Sequence, residues 1–223
     1  MTHTVHPYSH RLGILRDWKS RWFSPKGKFK EFLEVDVSVR HFLEKRLKGN
    51  FVADIEIERS QKAIRVIVST SRPGMIIGRQ GDGSQKLLAE LKKLLERKKL
   101  LPQSVELKLD IKEVKSPESN AAIVGEMVVD GLEKRLPFRR VIKSMLEKVM
   151  ANRDVEGVRI FIGGRLGGAT MSRVEDRKLG RIPLQTFRAD VDYAQTKAVM
   201  PYGVLGVKVW IYRGEVFDKE AKN

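Results

Sequence analysis

Apolar positions along the chain switch between two periods. From about Phe29 to Lys48, Phe32, Leu33, Val39, Phe42, Leu43 and Leu47 recur at near-helical spacing, and Gly49-Asn50 ends the run. Two segments of period two follow. Ala53, Ile55 and Ile57 alternate with Asp54, Glu56 and Glu58, then Ile64, Val66 and Val68 alternate with Arg65 and Ser69. The short Ser60-Gln61-Lys62 connection predicts a hairpin. Arg72-Pro73-Gly74 breaks the strand pattern, and Met75, Ile76 and Ile77 lead into Gly78-Arg79-Gln80-Gly81. An amphipathic helix then runs to about Leu101, where Pro102 closes it. Leu87, Leu88, Leu91, Leu94 and Leu95 form its apolar face, and Lys86, Lys92, Lys93, Arg97, Lys98 and Lys99 crowd the rest. Val105, Leu107, Leu109 and Ile111 alternate as a third strand.

Ser116-Pro117 is the natural boundary after this unit, since Ser116 can cap a helix and Pro117 suits its first turn. Ala122, Ile123, Met127, Val128 and Leu132 predict one helix, and Pro137 interrupts it. Phe138, Val141, Ile142, Met145, Leu146 and Val149 predict a second. Val158, Ile160 and Ile162 open an antiparallel sheet, Gly163 to Gly168 make a turn, and further strands are expected near Ala169–Leu179, Leu184–Lys197 and Val204–Arg213. The fold class is therefore α+β: helix–strand–strand–helix–helix–strand, then two helices against an antiparallel sheet.

Charge sharpens this picture. Basic residues number 44 against 28 acidic ones, a net +16, which points to a polyanionic partner. Hydrophobic residues, at 41%, suffice for a packed core, while aromatics at 7% argue against binding mainly by base stacking. Cysteine is absent, which excludes disulfides, thiolate metal sites and a cysteine nucleophile, and fits a reducing compartment. Residues 1–10 lack the apolar stretch of a signal peptide, and no apolar run reaches the ~18 residues of a membrane span. The basic residues extend over strands and loops, which favours a shaped polyanion over a membrane surface. His3, His6 and His10 have no carboxylate close by in the sequence, so no metal is expected there. With no Ser/His/Asp grouping, His-Glu metal motif or nucleotide-binding loop, the expectation is no catalytic residue, no cofactor and no small-molecule substrate. A nuclease or lyase would need a carboxylate cluster or an activated amine, and neither stands at readable spacing.

Four basic groups carry the candidate chemistry. In the loop Gly78, Arg79, Gln80 and Gly81, two glycines three apart let the backbone approach a phosphate–sugar chain, and the following helix presents its positive end. Arg72 and Lys86 flank it. With this order of elements, the loop resembles the clamp of a type II KH domain, against the alternative of a plain helix–helix turn. Arg139, Arg140 and Lys143 lie three and four apart on a helix and project from one side, where a phosphate backbone would relieve their mutual repulsion. A ribbon of Arg159, Arg165, Arg173, Arg177, Lys178, Arg181 and Arg188 faces only Glu175 and Asp176 within its span. Finally, residues 1–30 hold seven bases, among them Arg11 and Lys19, with Trp18, Trp22 and Phe23 interleaved; such an arm often orders only against its partner. The expected boundaries are 1–38 for this arm and the start of the first helix, 39–115 for the KH domain, 116–217 for the second unit and 218–223 for a short tail.

Beyond these physical readings, the sequence resembles the bacterial-type family of the third protein of the small ribosomal subunit. Val5-His6-Pro7, Arg11-Leu12-Gly13-Ile14 and Trp18 look like its opening, and Arg72 to Gly81 like its KH loop. Phe138-Arg139-Arg140, Gly164-Arg165-Leu166-Gly167-Gly168, Arg173-Val174-Glu175, Pro183 to Tyr193 and Tyr202 to Ile211 follow in family order. The resemblance implies a cytoplasmic protein in the head of the small ribosomal subunit, bound to rRNA through Arg11, Trp18, Lys19, Trp22, Arg159, Arg165, Arg173, Arg177 and Arg181. It implies that Arg139, Arg140 and Lys143 line the channel by which mRNA enters and assist its unwinding. It further implies the second, tenth and fourteenth small-subunit proteins as neighbours, with the fourth and fifth around the same pore. Gln80 stands where the family often has a second base, which weakens the expected grip on phosphate. The alternative reading is a KH-domain RNA chaperone or regulator outside the ribosome.

Overall fold

The computed structural model describes residues 5–25, 27–60, 62–98 and 105–217. The end of the long basic helix with Pro102, His3 and the tail after Phe217 therefore lie outside the described residues. In chain order the helices are α1 (Pro7–His10), α2 (Phe29–Arg46), α3 (Pro73–Ile77), α4 (Asp82–Arg97), α5 (Ala121–Glu133) and α6 (Phe138–Met150). The strands are β1 (Ser20–Arg21), β2 (Val52–Arg59), β3 (Ala63–Thr70), β4 (Glu106–Glu113), β5 (Gly157–Gly164), β6 (Arg173–Gly180), β7 (Ala189–Met200) and β8 (Gly203–Glu215). The chain forms two compact units, one over Trp18–Lys115 and one joining the residues up to Asp17 to those from Ser116 onward.

The Trp18–Lys115 unit is an α+β layer of three helices on a sheet ordered β1-β2-β3-β4. β2 and β3 form the expected antiparallel hairpin, and β4 runs parallel to β3 with Ile64 opposite Leu107 and Val68 opposite Ile111. Val35, Val39 and Leu43 of α2, Leu47 just after it, and Leu87, Leu91 and Leu95 of α4 bury against Ile55, Ile57, Val66 and Val68. The α2 face differs from the sequence expectation. Leu33 is exposed and Val35 is buried, because α2 carries two apolar stripes and the one through Val35, Val39 and Leu43 faces the sheet. Trp22 anchors the segment before α2: its indole Nε1 donates to Asp36 Oδ2 at 2.7 Å and its ring meets those of Phe29 and Phe32.

In the other unit α5 and α6 cover one face of a fully antiparallel sheet ordered β6-β5-β8-β7. The cap of α5 is Asn120, whose Oδ1 accepts from the N–H groups of Ala122 and Ile123; Ser116 and Pro117 start a 3-10 turn instead. Asp192 adds a second cap from β7 by accepting from Ala121 N at 2.9 Å. At the start of β5 and the end of β6, Gly157 and Gly180 pair so closely that a Cβ on either would overlap a backbone carbonyl oxygen.

Candidate nucleic-acid interface

The Gly78–Gly81 loop joins α3 to α4 through conformations that suit glycine. Gly78 has φ 71° and Gly81 φ 86°, and Gln80 between them is left-handed at φ 52°. A third glycine, which no sequence pattern singles out, sets the approach of the two helices. A Cβ on Gly83 would sit 2.5 Å from the carbonyl oxygen of Ile76, and one on Gly78 would sit 3.0 Å from Gly83 N. Ile76 alone anchors the short helix in the core; Ile77, expected to share that task, is 38% exposed. Arg72, Arg79 and Lys86 are all exposed around the loop. Arg72 lies over the Phe51 ring at 4.5 Å, and Lys86 stands 3.8 Å from Asp82. Arg79 and Gln80 are exposed at the start of a turn that Ser84 Oγ closes by donating to Gly81 O at 2.8 Å.

On α6, Val141, Ile142, Leu146 and Val149 are buried and Arg139, Arg140 and Lys143 are exposed. Lys143 is 81% exposed and its nearest carboxylate is Glu147, 4.0 Å away on the next turn. Arg139 and Lys143 border a groove of about 470 Å³ between α6 and β6, floored by Ile142, Leu146 and Leu179 and walled by Glu147, Glu175, Arg177 and Lys178. Arg140 lies off this groove. The first-turn cations of α6 thus sit at its positive end with no acidic residue to offset them, an arrangement that attracts an anion.

The basic ribbon does not form one surface. Across the β5–β6 ladder Glu175, Arg177 and Leu179 pair with Ile162, Ile160 and Val158 and so share the helix-covered face. Asp176 and Lys178 pair with Phe161 and Arg159 on the opposite face. Arg159 is spent on Asp176, to which it donates bidentately through Nε and Nη2, and it lies over Trp210 at 4.9 Å. That hydrogen-bonded carboxylate holds the Arg159 guanidinium above its ordinary pKa. The strand register thus gives Arg159, expected to bind rRNA, a partner within its own unit. Arg165 is exposed, yet its guanidinium staples two turns together by donating to Ala169 O (2.8 Å) and Tyr202 O (2.9 Å). Arg188 pairs with Glu215 and Arg177 with Glu175. Arg173, Lys178 and Arg181 remain exposed.

Two family models cover this chain in tandem: a KH domain over residues 38–119 and the C-terminal domain of ribosomal protein S3 over residues 128–211. The small ribosomal subunit protein uS3 of Endomicrobium trichonymphae is 44% identical across 100% of this chain and 92% of its own length. Those of Desulfatibacillum aliphaticivorans and Caldicellulosiruptor bescii are 43% and 42% identical, covering 100% and 99% of this chain and 99% and 96% of their own. The chain belongs to the uS3 family. Its fold is α+β, with a KH unit and a second unit built on an antiparallel sheet.

Within this uS3 chain the N-terminal segment departs most from expectation. Residues 5–17 are folded onto the second unit, and Arg11 is 0% exposed. Its guanidinium donates to Ala189 O (2.6 Å), Pro7 O (3.0 Å), Pro183 O (3.3 Å), Leu184 O (3.1 Å) and Thr186 O (2.9 Å). Burial pulls its pKa down from the ordinary value while Asp190 opposes that shift. Arg11, expected from its place in a basic arm to contact RNA, is thus a core residue that donates to five carbonyls. Trp22 and Lys19, also read as RNA contacts, are held by Asp36 and Asp54, whereas the Trp18 side chain is 62% exposed. Sequence pattern missed Asp190, which bridges Arg16 at 2.6 Å and Arg213 at 3.7 Å. It also missed Arg213, which ties Asp192 to Ser119 O beside the start of α5. The two aspartates, two apart in Ala189-Asp190-Val191-Asp192, were the available signal: polar residues interrupting an otherwise apolar strand.

Proposed function

We propose that this uS3 family member is a structural constituent of the small ribosomal subunit, seated in the head of the subunit in the cytoplasm. It binds rRNA, and α6 holds mRNA where it enters, beside the second, tenth and fourteenth small-subunit proteins and a pore shared with the fourth and fifth. The carrying observation is the outward set of Arg139, Arg140 and Lys143, backed by the buried face of α6, with Lys143 4.0 Å from Glu147. Three such cations bind phosphates without reading sequence. The KH loop, with Arg72, Arg79, Gln80 and Lys86, supports a second RNA contact, and Arg173, Arg177, Lys178, Arg181 and Trp18 extend the rRNA surface. The family names describe ribosomal proteins, not enzymes, and unwinding here needs no nucleotide site: cations hold the strand apart while the ribosome translocates.

Alanine at all three α6 positions tests this reading. In the full chain, the slope of log affinity against log salt for single-stranded RNA falls by about two, at ~0.7 for each phosphate no longer neutralised. Ribosomes carrying the variant slow on hairpin-containing messengers and keep their rate on unstructured ones. Equal rates on both would defeat the reading.

A further inference from the structure

The groove beside α6 has a composition that phosphate binding alone does not require. Its floor of Ile142, Leu146 and Leu179 is apolar, and two carboxylates, Glu147 and Glu175, line it among the cations. Glu175 is 20% exposed and gives Oε1 to Arg177 Nε and Nη2 at 3.2 Å, which leaves Oε2 without a hydrogen bond among the described residues. A site for phosphate alone gains nothing from carboxylates. A nucleotide supplies what each part of the groove needs: an anion for Arg139 and Lys143, a flat face for the apolar floor, and an amino edge for the acids. At about 470 Å³ the groove falls within the ~300–1,000 Å³ of small-ligand sites.

Resting on the reading that α6 faces RNA, we propose that this groove takes one unstacked base of single-stranded RNA and favours bases with an exocyclic amine over uracil. Glu147 and Glu175 accept from cytosine N4, adenine N6 or guanine N2. Uracil keeps one donor, N3–H, but at position 4 it turns a carbonyl oxygen toward the carboxylate that would accept from the cytosine amine, and that contact is repulsive. Charge complementarity selects RNA over a peptide here: an acidic peptide would satisfy the cations but place its carboxylates against Glu147 and Glu175.

The test measures full-chain binding to oligo(C) and oligo(U) of equal length by fluorescence anisotropy, in a background carrying Arg79→Asp to silence the KH loop. The two pyrimidines differ in the group at position 4 and stack weakly. Oligo(C) is expected to bind about tenfold more tightly, the lower part of the discrimination that a good polar base contact gives. In Glu147→Gln/Glu175→Gln the ratio collapses to within about twofold, and Glu147→Gln alone, at an exposed position, moves it in the same direction. Arg139→Ala/Lys143→Ala weakens both oligomers together and keeps the ratio. Equal binding of the two oligomers, or a ratio indifferent to the glutamates as a peptide groove would give, overturns the base-binding proposal. Unchanged affinity in Arg139→Ala/Lys143→Ala instead overturns the underlying reading that α6 faces RNA.

Discussion

Replacing Arg11 with methionine separates two accounts of the N-terminal segment. The substitution keeps the side chain's length and apolar stem and removes the guanidinium. Five carbonyl oxygens, on Pro7, Pro183, Leu184, Thr186 and Ala189, then lose a donor that reaches them at 2.6 to 3.3 Å. Hydrogen bonds from a charged donor contribute ~1.5–3 kcal/mol each, but the desolvation of a buried cation offsets several of them. Leaving several buried carbonyls unsatisfied, at about 1–3 kcal/mol each, less the cation desolvation that is regained, gives a net cost of about 3–5 kcal/mol. In a unit of this size each kcal/mol lowers Tm by roughly 3–5 °C, so the second unit should melt about 10–20 °C lower. Calorimetry on the full chain reads this, and limited proteolysis should show new cleavage before Asp17. Lysine at the same position recovers part of the loss, since its ammonium is a compact charge without the planar fork. A variant that melts within about 2 °C of the parent and loses RNA affinity instead would refute the argument and restore Arg11 as an RNA contact.

Two further outcomes follow from the KH unit. Gly83→Ala places a Cβ 2.5 Å from Ile76 O, so α3 and α4 must separate; a cost of about 1–3 kcal/mol and weaker RNA binding by the loop are expected from melting and anisotropy. Arg59→Met removes a guanidinium that lies 4.1 Å over the Phe32 ring and 3.6 Å from Asp36, leaving that buried carboxylate with Trp22 Nε1 as its remaining partner. A destabilisation of about 3 kcal/mol with a change in Trp22 fluorescence is expected, and an unchanged midpoint in urea would show that the pair is energetically idle.

The order of elements was legible because apolar period changes mark strand from helix: Ile64, Val66 and Val68 can face one side of a strand only, and Leu87, Leu91 and Leu95 one side of a helix only. Where two apolar stripes share a helix, as Leu33 and Val35 do on α2, the pattern cannot say which faces the sheet, and the choice falls to the packing of β2 and β3. The Gly78–Gly81 loop was legible because positive φ leaves a mark in residue type, but Gly83 was not, since close approach of Ile76 O is a tertiary fact. The basic ribbon was partly legible. Strand alternation separates Arg177 from Lys178 without any structure, whereas the pairing of Arg159 with Asp176 depends on a register that no local signal sets.

The same limit governs what net charge means in this chain. The formal +16 invites the view that every arginine seeks phosphate, yet many are engaged within their own unit. Arg11, Arg40, Arg165 and Arg213 donate to backbone carbonyls of distant segments, and Arg16, Arg65, Arg159 and Arg188 pair with Asp190, Asp110, Asp176 and Glu215. Guanidinium suits this work because its planar fork satisfies several carbonyls at once and it stays charged when partly buried. The cations left to meet RNA are those that stay exposed with at most a loose carboxylate one helical turn away: Arg79 on a left-handed turn, Arg139, Arg140 and Lys143 on the first turns of α6, and Lys86 on α4. The phosphate count read from salt dependence should therefore track these positions, and neutralising Arg159 or Arg188 should shift stability more than it shifts the salt slope.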